Sequence, residues 1–457
     1  MQIPDDLPHY TNVEMPFPGP PPALPSCNPT GVYHRQFTAP DDWETTMVVL
    51  HIGGAESVHA AYLNGQFVGY GTDSRLPSEY DITDLIQPGT NELAIVVIRY
   101  SAHSYIEDQD QWWMAGLHRK VLIEARPPTG IDDIETVADW DPDSGMGSLT
   151  VRTSVRFSPL PCDGYSLRTR IETVDGNRID DQHQSPVPHE HAAPYRFTGF
   201  AVSENWSSLS VNPWSAESPN LYVVHVDLIR DDGQTVDSIA QKVGFRRVEI
   251  RDRQLLVYGQ PIWLFGVNRH DHHPDRGKAV TVDDMRADLV AMRSHNITAV
   301  RTAHYPNDSV FLDLCDELGF YVVDEANIEC HAYNRSLCND PSYRSAWVDR
   351  GARMVQRDRN HPSVIMWSLG NESGYGTNTD AEAGWIRSAD PTRPLHYEDA
   401  IRVEGWVDGG RHATDIVCPM YPEIADIAQY GESGLGDRPL ILCVGRYAVR
   451  HTNRDQL

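Results

Sequence analysis

The chain has 457 residues, which at ordinary domain size suggests about three domains, and its 40% apolar and 23% charged residues are an ordinary globular composition. Net charge is −27, from 65 acidic and 38 basic residues, with no basic cluster against that surplus; this argues against a nucleic-acid or anionic-membrane partner. Seven cysteines without a C-x-x-C spacing argue against a disulfide framework or zinc site and fit reduced thiols.

The first 30 residues hold nine prolines and read as an extended arm. They lack a basic-then-apolar leader, and no run reaches about 18 apolar residues, so a cytoplasmic location without a membrane span is expected. Thr46 to Ile52, Ser57 to Leu63, Gln66 to Tyr70, Glu92 to Tyr100 and Arg119 to Glu124 alternate as strands, with Asn64-Gly65 as a hairpin turn. They predict a β-sandwich over residues 1–126, closed by the linker Arg126 to Gly130. Ser148 to Phe157, Ser166 to Thr173 and Leu221 to Ile229 predict a second, immunoglobulin-like sandwich over 127–247.

From residue 248 the period changes to alternating strand and helix. Seven strands are predicted: Ile262 to Val267, Ile297 to Val300, Phe320 to Val323, Val364 to Leu369, Leu395 to Tyr397, Ile416 to Met420 and Pro439 to Cys443. Helices are predicted over Val282 to His295 (N-cap Thr281), Val310 to Leu318 (ended by Gly319), Tyr343 to Arg359, Ala381 to Ile386 and Glu423 to Tyr430. The order implies parallel strands with right-handed crossovers, an incomplete (β/α)8 TIM barrel over 248–457. No glycine-rich phosphate fingerprint opens any of these helices.

Polar residues cluster where these strands end, the face on which such barrels hold reacting groups. The first delivers Asn268 to His273, with three histidines in four residues that could also bind a metal; the second delivers His304. The third delivers Asp324, Glu325 and then Glu329-Cys330-His331, a possible cation ligand set; the fourth delivers Asn371-Glu372, the sixth Tyr421. Glu372, at the mouth of an apolar strand, is the best general acid: desolvation should raise its pKa and keep it protonated near neutrality. Asn371 is placed to bond a substrate hydroxyl. Eleven Trp and 20 Tyr are a weak further hint of a sugar ligand.

These motifs are long and specific. Gly71 to Glu79, Glu107-Asp108-Gln109-Asp110, Asn268 to Pro274, Asp324 to Glu329 and Met354 to Ser373 together resemble the β-galactosidases of glycoside hydrolase family 2. Asn268 to Pro274 and Met420-Tyr421 fit a β-glucuronidase less well. The resemblance implies a jelly-roll sugar-binding-like domain, an immunoglobulin-like domain and a catalytic barrel, assembled as a homo-oligomer. It implies retaining hydrolysis of terminal β-D-galactose in lactose-type substrates. By it, Glu372 is the acid/base, and His270 and His304 stabilise the transition state. Glu329, His331 and Glu372 hold Mg2+. Asn12 and Asp110 reach galactose, Asp110 also helps bind a monovalent cation (Na+ or K+), and Tyr421 lies beside the nucleophile.

The family nucleophile is a Glu following the seventh strand, in R-P-L-I-L-C-E-Y-A-H. Here Arg438 to Cys443 match and the next residue is Val444. A retaining glycosidase needs two carboxyls about 5–5.5 Å apart, and valine forms no glycosyl ester. The sequence therefore predicts a chain truncated at both ends, impaired in turnover and, with an open barrel edge, poorly soluble. The alternatives are a non-catalytic galactoside-binding protein and a non-functional fragment.

Overall fold

A computed structural model describes residues 8–189, 200–434 and 436–442. The first sandwich pairs a four-stranded antiparallel sheet (Thr30–Ala39, Gly89–Ile98, Val58–Leu63, Gln66–Gly71) with a three-stranded one (Val121–Arg126, Met47–Ile52, Ser78–Asp81). Val48, Leu50, Leu63, Ile95 and Val97 fill the space between them, because alternation sends every second residue inward. Asn64 and Gly65 both have positive φ (52° and 78°), as a two-residue hairpin loop requires. The second sandwich sets Gly130–Asp141, Met146–Arg156 and Phe200–Leu209 against His183–Pro186, Tyr165–Thr173, Tyr222–Arg230 and Thr235–Val243.

The barrel contributes five parallel strands in chain order: β1 (Gly266–Arg269), β2 (Ala299–Thr302), β3 (Tyr321–Glu325), β4 (Val364–Ser368) and β5 (Leu395–His396). Every residue of β2 to β5 is buried, the uniform burial expected of a parallel sheet covered on both faces. Between them run α1 (Val282–Ser294), α2 (Ser309–Leu318), α3 (Arg344–Asp358) and α4 (Thr377–Ala389), and after β5 come α5 (Ile401–Asp408) and α6 (Ile424–Ser433). Thr281 caps α1 in a reciprocal capping box with Asp284, and Gly319 ends α2 at φ 76°.

Three barrel expectations are corrected. The first strand lies at Gly266–Arg269, later than Ile262 to Val267, because Gln260–Pro261 is drawn back into a small antiparallel sheet with Gln254–Val257. The sixth and seventh strands reduce, among the described residues, to one parallel bridge between Val417 and Leu440. Helix α5 was not anticipated; its stretch contains Gly405 at φ 80°, which breaks the helical period. Trp263 and Phe265, beside the edge strand β1, are 79% and 65% exposed.

The proline-rich arm lies on both neighbours. His9–Tyr10 pairs antiparallel with Trp112–Trp113. Phe17 packs edge-on against Tyr105 and joins the apolar cluster of the barrel, and the Tyr105 hydroxyl donates to the Ala23 carbonyl at 2.6 Å. The first sandwich is tied to the barrel through buried polar groups. Asn327 donates to Asp73 and to Glu107, both at 2.9 Å, and accepts from Gln109 at 3.1 Å; Arg350 pairs with Glu107 at 2.5 Å.

Candidate active site

The parallel register places Asn268, Arg301 and Val323 side by side, and Glu325, Ser368 and His396 above them. Beyond the strands, a parallel bridge joins Glu329 to Asn371 and another joins Glu329 to Glu107. The loop 107–110 of the first sandwich is thereby built into the barrel mouth, with Asp108 N–H donating to the Glu329 carbonyl at 3.0 Å. Sequence reasoning put both pieces at a site; the backbone ladder shows how they are held.

Arg301 is the hub of this layer. Its guanidinium donates to Glu325 at 2.6 Å, to Asn371 Oδ1 at 2.8 Å and to Asn268 Oδ1 at 3.4 Å. Burial pushes the Glu325 carboxyl up, but the Arg301 charge, with hydrogen bonds from His304 and Ser368, holds it at about 2. Glu325 also fixes His304, whose Nδ1 lies 2.7 Å from Oε1. The His270 ring stands edge-on to that of His304 at 5.5 Å, and burial followed by the His304 charge lowers its pKa to about 3. Asn371 Nδ2 donates to Glu329 Oε1 at 2.9 Å, so both ends of its amide are engaged. One N–H and one carbonyl lone pair of Asn371 remain for the substrate hydroxyl expected there.

Glu372 takes its place at φ 37°, in the left-handed region, in the loop that follows β4. Its carboxylate meets His331 Nε2 at 3.0 Å. That hydrogen bond lowers the Glu372 pKa more than desolvation raises it, and the same bond raises that of His331. A carboxyl protonated at neutrality through burial is therefore not found at Glu372; the ring that reverses the shift comes from a loop 41 residues away in sequence. Burial instead raises the neighbouring Glu329 well above the carboxylate range, and Asp108 to about 7.

Glu329, His331 and Glu372 bring one ligand atom each within 4.8 Å of one another. Glu329 Oε2 and His331 Nδ1 are buried without a partner among the described residues, as are His270 Nδ1 and Glu398 Oε2. Two carboxylates and an imidazole are suitable donors for a divalent cation. The run of three histidines does not form a site of its own: His273 Nδ1 accepts from the Asp275 and Arg276 amides in a local turn. A second grouping, Asp313, Asp316 and His361, is an ion pair (2.6 Å between His361 and Asp316) that also accepts the Ser363 amide.

Asp110 stands at the rim, where the Tyr10 hydroxyl and Asn12 Nδ2 (3.2 Å) both donate to it. The arm thus reaches the site through Asp110. Tyr421 is 43% exposed at φ 52°; burial first, and then the charges of Glu372 and Asp110, raise its pKa. Val444 lies outside the described residues. Sequence reasoning missed Arg301, Glu325 as a hub, and the carboxyls Glu398 and Asp399 after β5. For Glu398 the signal was present: Y-E-D follows a buried strand just as N-E follows β4.

Three family descriptions match the chain in tandem: the glycosyl hydrolases family 2 sugar binding domain over residues 1–127, glycosyl hydrolases family 2 over 129–246, and the family 2 TIM barrel domain over 248–454. Among curated proteins the chain is 40% identical to the β-galactosidase of Pseudoalteromonas haloplanktis over 97% of its own length and 43% of that protein's. It is 39% identical to the β-galactosidase of Photobacterium profundum, with the same coverage. The chain therefore spans under half the length of these relatives. Among solved structures, a Bifidobacterium dentium β-glucuronidase aligns with TM-score 0.75 at 20% identity, covering 91% of this chain and 75% of that one. A Bacteroides vulgatus β-glycosidase aligns with TM-score 0.72 at 23% identity, covering 95% and 53%. At those identities the structural likeness speaks to fold alone.

Proposed function

Because the chain belongs to glycosyl hydrolase family 2, we propose that its barrel mouth is a β-galactoside site in which Glu372 is the acid/base of glycoside hydrolysis. The observation that carries this reading is convergence. Five strand ends and a loop of the first sandwich meet at one layer whose buried polar atoms are largely paired, while Glu329, His331 and His270 each keep one atom without a partner among the described residues. Unsatisfied buried polar atoms cost about 1–3 kcal/mol each, and a ligand rich in hydroxyls would relieve them.

In this reading His270 and His304 bond sugar hydroxyls, with His304 fixed by Glu325. Asp110, carrying Asn12, closes the rim, and Tyr421 faces the same carboxylates. Glu329, His331 and Glu372 fit Mg2+ by donor type and spacing. When bound, the ion would offset the charge of two carboxylates and orient Glu372. Asp110, whose oxygens accept from Tyr10 and Asn12, would contribute one carboxylate to a monovalent-cation site.

Retaining hydrolysis needs a second carboxyl as nucleophile, and the residue expected to supply it is Val444. That favours a second reading, a site that binds galactosides without efficient turnover. Calorimetry with phenyl 1-thio-β-D-galactoside, with and without Mg2+, and hydrolysis of nitrophenyl β-D-galactoside test both. We expect binding that Mg2+ strengthens and Glu372→Gln weakens, with hydrolysis near background. Rapid hydrolysis abolished by Glu372→Gln would establish turnover and remove the second reading. Absence of binding to any β-galactoside would remove the site reading itself.

A further inference from the structure

Strands β4 and β5 are in register as far as Leu369, whose amide donates to the His396 carbonyl at 3.1 Å. There the two backbones part, because Gly370 turns away at φ 123°. Side chains take over the pairing. Glu398 Oε1 accepts the Glu372 amide at 2.7 Å, and Asp399 Oδ2 accepts the Gly374 amide at 2.7 Å. The hydroxyl of Tyr397 donates to the Gly374 carbonyl, also at 2.7 Å. Three consecutive side chains after β5 thus hold the Glu372–Gly374 turn. Arg402, bonded to Asp399 at 3.0 Å, extends to 3.9 Å from the Glu372 carboxylate itself.

Stability does not account for the residue types. Glu398 is 1% exposed and one of its oxygens has no partner among the described residues. A buried carboxyl so poorly satisfied is a costly way to fill space. What it supplies is an acceptor at a fixed point, aimed at the amide of a residue held in a left-handed conformation that a non-glycine side chain adopts only under constraint.

We propose that Tyr397, Glu398 and Asp399 are positioning residues that set the place of the Glu372 carboxylate, with Glu398 the dominant member. This rests on the reading of Glu372 as acid/base, and the experiment separates the two. Hydrogen exchange of the segment containing Glu372 reads the clamp without any ligand. Binding of a galactose-configured iminosugar, cationic at neutral pH, reads the carboxylate. Losing this buried hydrogen bond should speed exchange of that segment about tenfold in Glu398→Leu and weaken the iminosugar about tenfold. Glu398→Gln keeps the acceptor and should stay within about twofold of the parent in both. In a Glu372→Gln background, Glu398→Leu should cost less than about twofold more, since it acts through the carboxylate already removed.

Unchanged exchange in Glu398→Leu overturns the clamp. A full additional binding loss in the Glu372→Gln background overturns positioning in favour of a general packing role. If the parent protein binds no iminosugar while the exchange result holds, the acid/base reading has failed and the positioning role falls with it, leaving a structural contact.

Discussion

Replacing Arg301 with Met keeps most of the side-chain length and removes the charge at the centre of the barrel mouth. The Arg301 side chain is 6% exposed and that of Glu325 fully buried, and their bond is 2.6 Å long. Glu325 is held at about 2 against an ordinary 4.5, a difference worth about 3 kcal/mol in favour of the charged form, to which His304 and Ser368 also contribute. Breaking such a pair and leaving its partner buried costs about 3–5 kcal/mol, so Arg301→Met should destabilise the barrel by that amount at pH 7. The sign with pH follows from the depressed pKa. The contribution is complete above 4.5 and disappears as pH falls through 2, so the gap between parent and variant should narrow on acidification. Urea denaturation followed by tryptophan fluorescence between pH 3 and 7 measures it, Trp367 of β4 lying fully buried beside this layer. A loss below about 1 kcal/mol at pH 7, or a gap independent of pH, would refute the assignment of Arg301 as the hub.

Three further outcomes are expected. Gly374 sits at φ 71° with room for no side chain, since a Cβ would fall 1.7 Å from the Asn334 carbonyl oxygen. Gly374→Ala should therefore cost about 4 kcal/mol or more in thermal unfolding, whereas Gly431→Ala in α6, where a Cβ meets nothing within 4 Å, should stabilise by about 0.5–1 kcal/mol. Burial lowers the pKa of His361, but the charge and hydrogen bond of Asp316 outweigh it and raise it to about 9. Its stabilising effect is complete below 6.5 and is lost as pH rises through 9, so His361→Gln should flatten the stability profile between those values; an unaltered slope would count against the pair.

Much of this site was legible because parallel barrels deliver polar residues by a simple rule, one strand end at a time. That rule located His270, His304, Glu329 and Glu372 from apolar runs alone. It could not foresee partners supplied across the sheet. The direction of the Glu372 shift was missed because His331 arrives from another loop, and the bonds of Asn371 to Arg301 and Glu329 were not foreseen because they join three different strands. The proline-rich arm read as a chain lying on something; what it lies on, Tyr105 and Asp110, depended on packing. Thr30–Ala39 escaped notice as a strand because only Ala39 is fully buried, so its alternation carries little hydrophobic contrast.

The bonds from Asn327 to Asp73, Glu107 and Gln109 bear on how such a protein can be recombined. The three domains look like interchangeable modules in their sequence order, yet the seam between the first and third is a buried lock of charged and amide groups with Arg350 as its bolt. A graft of the first sandwich from a relative would be accepted only if residues 73, 107, 109, 327 and 350 travelled as a set. The loop 107–110 would otherwise lose its footing, and with it the rim that Asp110 forms.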